Sequence, residues 1–113
     1  MHEYSIVQSL LNACEEHATQ NKATKITKVV VKIGVMSGVE PELLRTAFET
    51  FKEKTICDSC EFVMNIQAVV IECKNCLKKA TLQKLEYMCP DCKSVELDII
   101  DGEDMYLMQL EME

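Results

Sequence analysis

Six of the seven cysteines in this 113-residue chain fall into three Cys-x-x-Cys pairs. Two of them, Cys73/Cys76 and Cys89/Cys92, are separated by twelve residues. Zinc takes four tetrahedral ligands, and two such knuckles supply two thiolates each. Leu77 to Met88 is long enough for a small ribbon that brings the knuckles together, and Pro90 stiffens the second one. From Cys73 to Ser94 the chain is short of large apolar residues and rich in Lys and Cys, so it lacks a core of its own. Such a segment draws its folding energy from metal, for which about 10–16 kcal/mol is typical of small zinc modules. The spacing also admits iron and electron transfer. A structural zinc on Cys73, Cys76, Cys89 and Cys92 is the default expectation.

Cys57-x-x-Cys60 precedes Cys73 by the same twelve-residue gap. A site of Cys57, Cys60, Cys73 and Cys76 satisfies the same arithmetic. Against it, residues 61 to 72 alternate as a full strand and have a place in the main sheet. Cys57 and Cys60 then read as partly buried thiols at a helix-to-strand turn, with a reversible disulfide or a soft-metal site as sharper alternatives. A thiol-disulfide enzyme using this pair is disfavoured, because Asp58 should raise a neighbouring thiol. Cys14 reads as a small core residue of the first helix. Paired Cys-x-x-Cys spacings and an odd cysteine count favour a reducing compartment, and hence the cytoplasm.

The first residues carry a second kind of chemistry. The Met1 α-amine, the backbone nitrogens that follow and the His2 imidazole can form adjoining chelate rings. Nickel(II) and copper(II) accept such nitrogen-rich, tetragonal sets. Amine and imidazole must both lose protons to bind, so the site fails on acidification. Taken alone, these residues favour a frayed terminus with a solvated His.

The elements that must position these groups follow from periodicity. Val7, Leu10, Leu11, Cys14 and Ala18 recur at helical spacing over residues 4 to 20. Residues 25 to 36 alternate as a strand, with Val29, Val31, Ile33 and Val35 on one face. Ser37, Gly38 and Val39 make a turn. Pro41 then suits the first position of a second helix whose buried face is Leu44, Phe48 and Phe51. Residues 61 to 72 read as one strand, and strands resume at 95 to 100 and 105 to 112, across an Asp101-Gly102 hairpin-like turn or kink. The expected fold class is α+β: a small three-stranded sheet packed with two helices, plus an inserted zinc-ribbon-like domain. Residues 1–72 and 95–113 form the base, and 73–94 the insert.

Composition bounds the function. The formal charge is −7, the wrong sign for a general nucleic-acid binder. Residues 73 to 93 hold five Lys against Glu86 and Asp91, but a zinc tetrathiolate contributes −2, leaving a weak lure for phosphate. Tyr87 is the segment's one aromatic platform. The longest apolar run is a few residues, too short to span a membrane, and the start lacks a signal-peptide pattern.

The start Met1-His2-Glu3-Tyr4-Ser5, the strand Val29-Val30-Val31-Lys32-Ile33-Gly34, the stretch Ala47-Phe48-Glu49 and the two late knuckles together resemble the HypA/HybF family of nickel metallochaperones. The resemblance covers essentially the whole chain. It implies a nickel(II) cargo site at the amino terminus, on His2, Met1 and nearby backbone nitrogens, with Glu3 serving the site or transfer. It implies a structural zinc(II) on the four late cysteines. Glu40 occupies an acidic position beside the second helix and is a further candidate to approach the metal. A HypB-type GTPase and the nickel-iron hydrogenase large-subunit precursor are the implied partners, with urease accessory proteins in some organisms. No catalytic residue is implied, and Cys57-x-x-Cys60 has no place in the family motif. A zinc-ribbon interaction module without a nickel role is the remaining alternative.

Overall fold

The computed structural model describes residues 3–82 and 87–113. Two three-stranded sheets and two helices make an elongated body of 52 × 27 × 18 Å. Helix α1 spans Glu3–Gln20 and buries Val7, Leu10, Leu11, Cys14 and Ala18, the face that its periodicity marks. It stops where Lys22 turns left-handed (φ 57°) and the Ala23 N–H returns to the Ala18 carbonyl at 2.8 Å, satisfying the helix end.

Strand β1 (Ile26–Gly34) lies at the centre of the first sheet and buries Ile26, Val29, Val31 and Ile33. Helix α2 (Pro41–Phe51) carries the chain across to β2 (Glu61–Gln67), which pairs parallel to β1. A parallel return needs such a crossover. The last strand, labelled β6 in chain order (Met105–Met112), pairs antiparallel on the other side of β1 and completes the sheet as β2-β1-β6. Both helices contribute to the core against this sheet, with Phe48 stacked on Phe62 at 4.2 Å between ring centroids. Each fully buried side chain of this size contributes about 1.5–3 kcal/mol by leaving water.

The structure departs from the alternation at residues 61 to 72. Instead of one strand there are two, β2 and then β3 (Val70–Cys73), and they belong to different sheets. The second sheet runs β4-β3-β5, all antiparallel, with β4 at Lys79–Thr81 and β5 at Leu97–Asp101. It thus draws on residues at both ends of the expected 73–94 insert. Its small core is Val69, Ile71 and Leu82, the first two of which lie outside the 73–94 segment read as lacking a core. Phe51, read as buried, is instead 42% exposed and meets Tyr4 edge-on at 4.7 Å. Val35 lies beyond the end of β1 and is also exposed.

The sheets join where three chain segments cross. The Asp101-Gly102 step is a kink that carries the chain from β5 to β6, not a hairpin between paired strands. A Cβ on Gly34 would lie 2.3 Å from the Gly102 carbonyl oxygen, so backbone meets backbone there. Gly102 itself has φ 97° and packs on Ala68 and Val69. No helix among the described residues is long and apolar enough to cross a membrane.

Candidate metal centre

Cys73 ends β3, Cys76 closes the turn after it, and Cys89 and Cys92 come from a second turn. All four Sγ atoms lie within 4.8 Å of one another. Cys73 and Cys92 approach to 3.4 Å, and Cys76 and Cys89 to 3.6 Å. Tetrahedral zinc with Zn–S bonds of about 2.3 Å requires sulfurs about 3.8 Å apart. The donor set fits that ion.

The two turns are built alike. In the first, the Leu77 N–H donates to the Cys73 carbonyl at 2.9 Å, and the Cys73 N–H to the Lys78 carbonyl at 2.9 Å. In the second, Lys93 donates to Cys89 and Cys89 to Ser94, both at 2.9 Å. The residue after each closing cysteine is left-handed, Leu77 at φ 62° and Lys93 at φ 62°. Neither is Gly or Asn, so no local sequence signal announces these conformations. The turns aim N–H groups at sulfur: Asn75 and Cys76 at Cys73 Sγ (both 3.4 Å), and Cys92 at Cys89 Sγ (3.5 Å). Donors placed this way favour thiolate over thiol.

The Asn75 side-chain amide, the Ser94 backbone and the Cys73 thiol hold the Cys92 thiol down at about 6. The Lys78 backbone also favours the Cys76 thiolate, but burial and the other three thiols outweigh it and push Cys76 up to about 12. Four sulfurs this close cannot all ionise without a cation, and a divalent ion supplies the missing charge. No histidine is adjacent to either knuckle, so thiolates complete the set. Loaded with zinc(II), this is a closed structural site that leaves no position for substrate.

Cys57 and Cys60 stand apart from this cluster. Both are buried in the core of the first sheet, Cys57 fully and Cys60 4% exposed, more deeply than a turn position suggests. Their turn sends the Cys60 N–H to the Cys57 carbonyl at 3.0 Å, and among the described residues no N–H is directed at either sulfur. Its geometry suits thiols, where the late knuckles suit thiolates. Cys57 is pushed up to about 12, first by its hydrogen bond with Cys14 and then by burial. Cys60 is raised too, by its bond with Cys57 and by burial. Buried, protonated thiols are poor nucleophiles, which removes the physical basis for thiol-disulfide turnover at this pair. Cys57 and Cys60 do not pair with Cys73 and Cys76: the first two sit in the core of the first sheet, whereas the latter gather with Cys89 and Cys92.

Met1 and His2, the expected nickel ligands, lie outside the described residues. Glu3 opens α1, and its Oε2 accepts the Glu40 backbone N–H at 3.5 Å. This contact between residues far apart in sequence is one that periodicity cannot show. It puts the carboxylate at the start of α2, beside the Glu40 position. His17 lies exposed in the last turn of α1.

A family model described as hydrogenase/urease nickel incorporation, metallochaperone, hypA matches residues 1–112. A hydrogenase maturation factor HypA from Shewanella sp. (strain MR-7) is 55% identical over 113 residues, covering 100% of this chain and 96% of the relative. The factor of the same name from Aquifex aeolicus is 50% identical, over 100% of this chain and 98% of its own length. The solution structure of the Ni metallochaperone HypA from Helicobacter pylori superposes with a TM-score of 0.72 at 41% identity, covering 99% of this chain and 97% of that one.

Proposed function

The chain belongs to the HypA family of nickel-incorporation metallochaperones, and we propose that it carries nickel(II) at its amino terminus and delivers it during maturation of nickel-iron hydrogenase. The observation that carries this reading is the family match, which runs from Met1 and includes His2 and Glu3. The His2 imidazole, the Met1 amine and the intervening backbone nitrogens form the primary set, and Glu3 stands next to them. Nickel held by nitrogens at a chain terminus passes to a recipient by stepwise ligand exchange. The first sheet with its helices serves as the base for this site. The zinc-bound second sheet serves as a docking arm.

The recipient machinery in this reading is a HypB-type GTPase and the hydrogenase large-subunit precursor, with urease accessory proteins as a further destination. The protein acts as a carrier in the cytoplasm and catalyses no reaction.

Calorimetry of nickel binding to zinc-loaded protein with its authentic amino terminus tests the site, run beside His2→Ala and beside a version extended by two residues at the amino terminus. Tight binding to the first and strong loss in the other two is the expected result, with zinc retained throughout. Equal binding in all three moves nickel to the thiolates and overturns the assignment.

A further inference from the structure

The first sheet has two edges, β2 and β6, and they are finished differently. At β2 the edge is guarded. Arg45 donates to the Phe62 carbonyl at 3.2 Å, and Lys52 to the Cys60 carbonyl, just before the strand, at 3.1 Å. Charged side chains laid over an edge are a common protection against pairing with a further strand. At β6, among the described residues, no side chain bonds a backbone group of the strand, and Met105–Met112 contains no Lys, Arg or Pro. Its inward side is fixed at both ends. The Asp104 carbonyl accepts the Gly34 N–H at 3.0 Å, and the Glu113 N–H donates to the Lys25 carbonyl at 2.8 Å. An antiparallel ladder alternates, so the backbone groups of Met105, Leu107, Leu110 and Met112 point to the open side. Met108 is the extra residue where the register shifts opposite Val30 and Val31, which keeps the two halves of the edge in step.

Each half of this edge has a cavity beside it, between β6 and α1. One, of about 280 Å³, lies between Ser9 and Ala13 of α1 and Met105 and Leu107 of β6. The other, of about 300 Å³, lies between His17 and Leu107, Leu110 and Met112. The two ends of the edge are acidic, with Glu103 and Asp104 before the strand and Glu111 and Glu113 at its close. Of these, among the described residues, Glu111 alone has a cationic partner, Lys28 at 3.9 Å. A second copy of the chain is a poor occupant, because a two-fold antiparallel pair of β6 strands sets acidic end against acidic end.

We infer that β6 is a docking edge for an extended segment of another protein, apolar at alternate positions and basic at both ends, which adds as a fourth strand. Main-chain hydrogen bonds supply the affinity, and the cavities take alternate side chains and supply the selectivity. The basic ends meet Glu103 and Asp104 on one side and Glu111 and Glu113 on the other. The inference stands apart from the carrier reading, since it uses no residue of the nickel site and its test contains no nickel.

The test uses the full-length zinc-loaded protein and a synthetic peptide of alternating valine and threonine with a lysine pair at each end. Amide exchange at Met105, Leu107, Leu110 and Met112, followed by nuclear magnetic resonance, is expected to slow when the peptide is added, with β2 unaffected. The same peptide with methylated backbone nitrogens, and one with glutamates for the lysines, should each bind roughly tenfold more weakly or worse. Ser9→Phe fills the first cavity from its exposed rim and should weaken the lysine-ended peptide by roughly tenfold. Unchanged exchange at β6, or equal slowing by the methylated peptide, overturns the inference. So does sedimentation of the protein alone as a dimer with these four amides already protected, which gives the edge to a second copy. If Ser9→Phe fails to fold, the peptide series on wild type decides.

Discussion

The ammonium of Lys32, on β1 of the first sheet, donates to Oδ2 of Asp101, the last residue of β5 in the second sheet, at 2.8 Å. Both side chains are partly buried, and the same ammonium lies 5.4 Å from the centroid of the Tyr106 ring. The Gly102 N–H donates to the other carboxylate oxygen at 2.8 Å. One charge pair therefore ties the two sheets at the point where the backbones cross.

That pair makes the joint sensitive to acid. Lys32, followed by the Gly102 N–H, holds the Asp101 carboxyl below its ordinary value. A depressed carboxyl contributes stability above the usual unfolded value, about 3.9, and loses it as pH falls through the lower folded value. Lys32→Met should lower the urea midpoint at pH 7, and the gap to wild type should narrow below about pH 4. Urea titrations of both proteins at pH 7, 4 and 2.5 check this. A gap that widens on acidification contradicts the assignment.

The seven thiols should divide into four and three. In zinc-loaded protein all are shielded, by metal or by burial. Chelation should expose Cys73, Cys76, Cys89 and Cys92 to iodoacetamide at pH 7, while Cys14, Cys57 and Cys60 stay unmodified until the base unfolds. Mass spectrometry counts the adducts. Rapid labelling of Cys57 in the folded protein would refute the buried-thiol picture.

Removing zinc should dissolve one sheet and spare the other. Among the described residues the β4-β3-β5 sheet buries Val69, Ile71 and Leu82, and it depends on metal for the balance of its folding energy. The base has its own core and needs none. Proton-nitrogen spectra of the chelated protein should lose the dispersed signals of Ile71 and Ile99 and keep those of Val29 and Val31.

Phe48 anchors the base. It is fully buried and stacked on Phe62, so Phe48→Ala should cost about 3–5 kcal/mol. A chemical denaturation curve of the zinc-loaded variant reads the loss. Phe51→Ala, on the exposed side of the same helix, should cost clearly less.

Lys93→Gly should stabilise the arm. Lys93 is exposed and left-handed at φ 62°, which costs a side-chain-bearing residue about 1–2 kcal/mol. Glycine removes that strain and returns roughly 0.5–1 kcal/mol of it as lost chain entropy. A gain of up to about 1.5 kcal/mol in zinc retention against a competing chelator is expected.

Most of what is periodic along the chain was legible before any fold was known. Helical spacing in α1 marks Val7, Leu10, Leu11, Cys14 and Ala18 as one face, and all five are buried. Alternation does the same for Val29, Val31 and Ile33 in β1. The two late Cys-x-x-Cys pairs announce a tetrathiolate cluster because metal spacing is a property of the knuckle itself. What needed the tertiary structure was the allocation of strands to sheets. Phe62 points inward in β2, whereas Val69, Ile71 and Cys73 point inward around β3, so the buried parity switches between them. The switch falls in Ala68-Val69-Val70-Ile71, where every residue is apolar and both parities look alike. Periodicity reports which face is buried and says nothing about what buries it. For the same reason Cys57-x-x-Cys60 and the metal knuckles share a spacing and differ only in surroundings. Burial beside Cys14 keeps one pair as thiols, and N–H groups aimed at sulfur prepare the others for a metal.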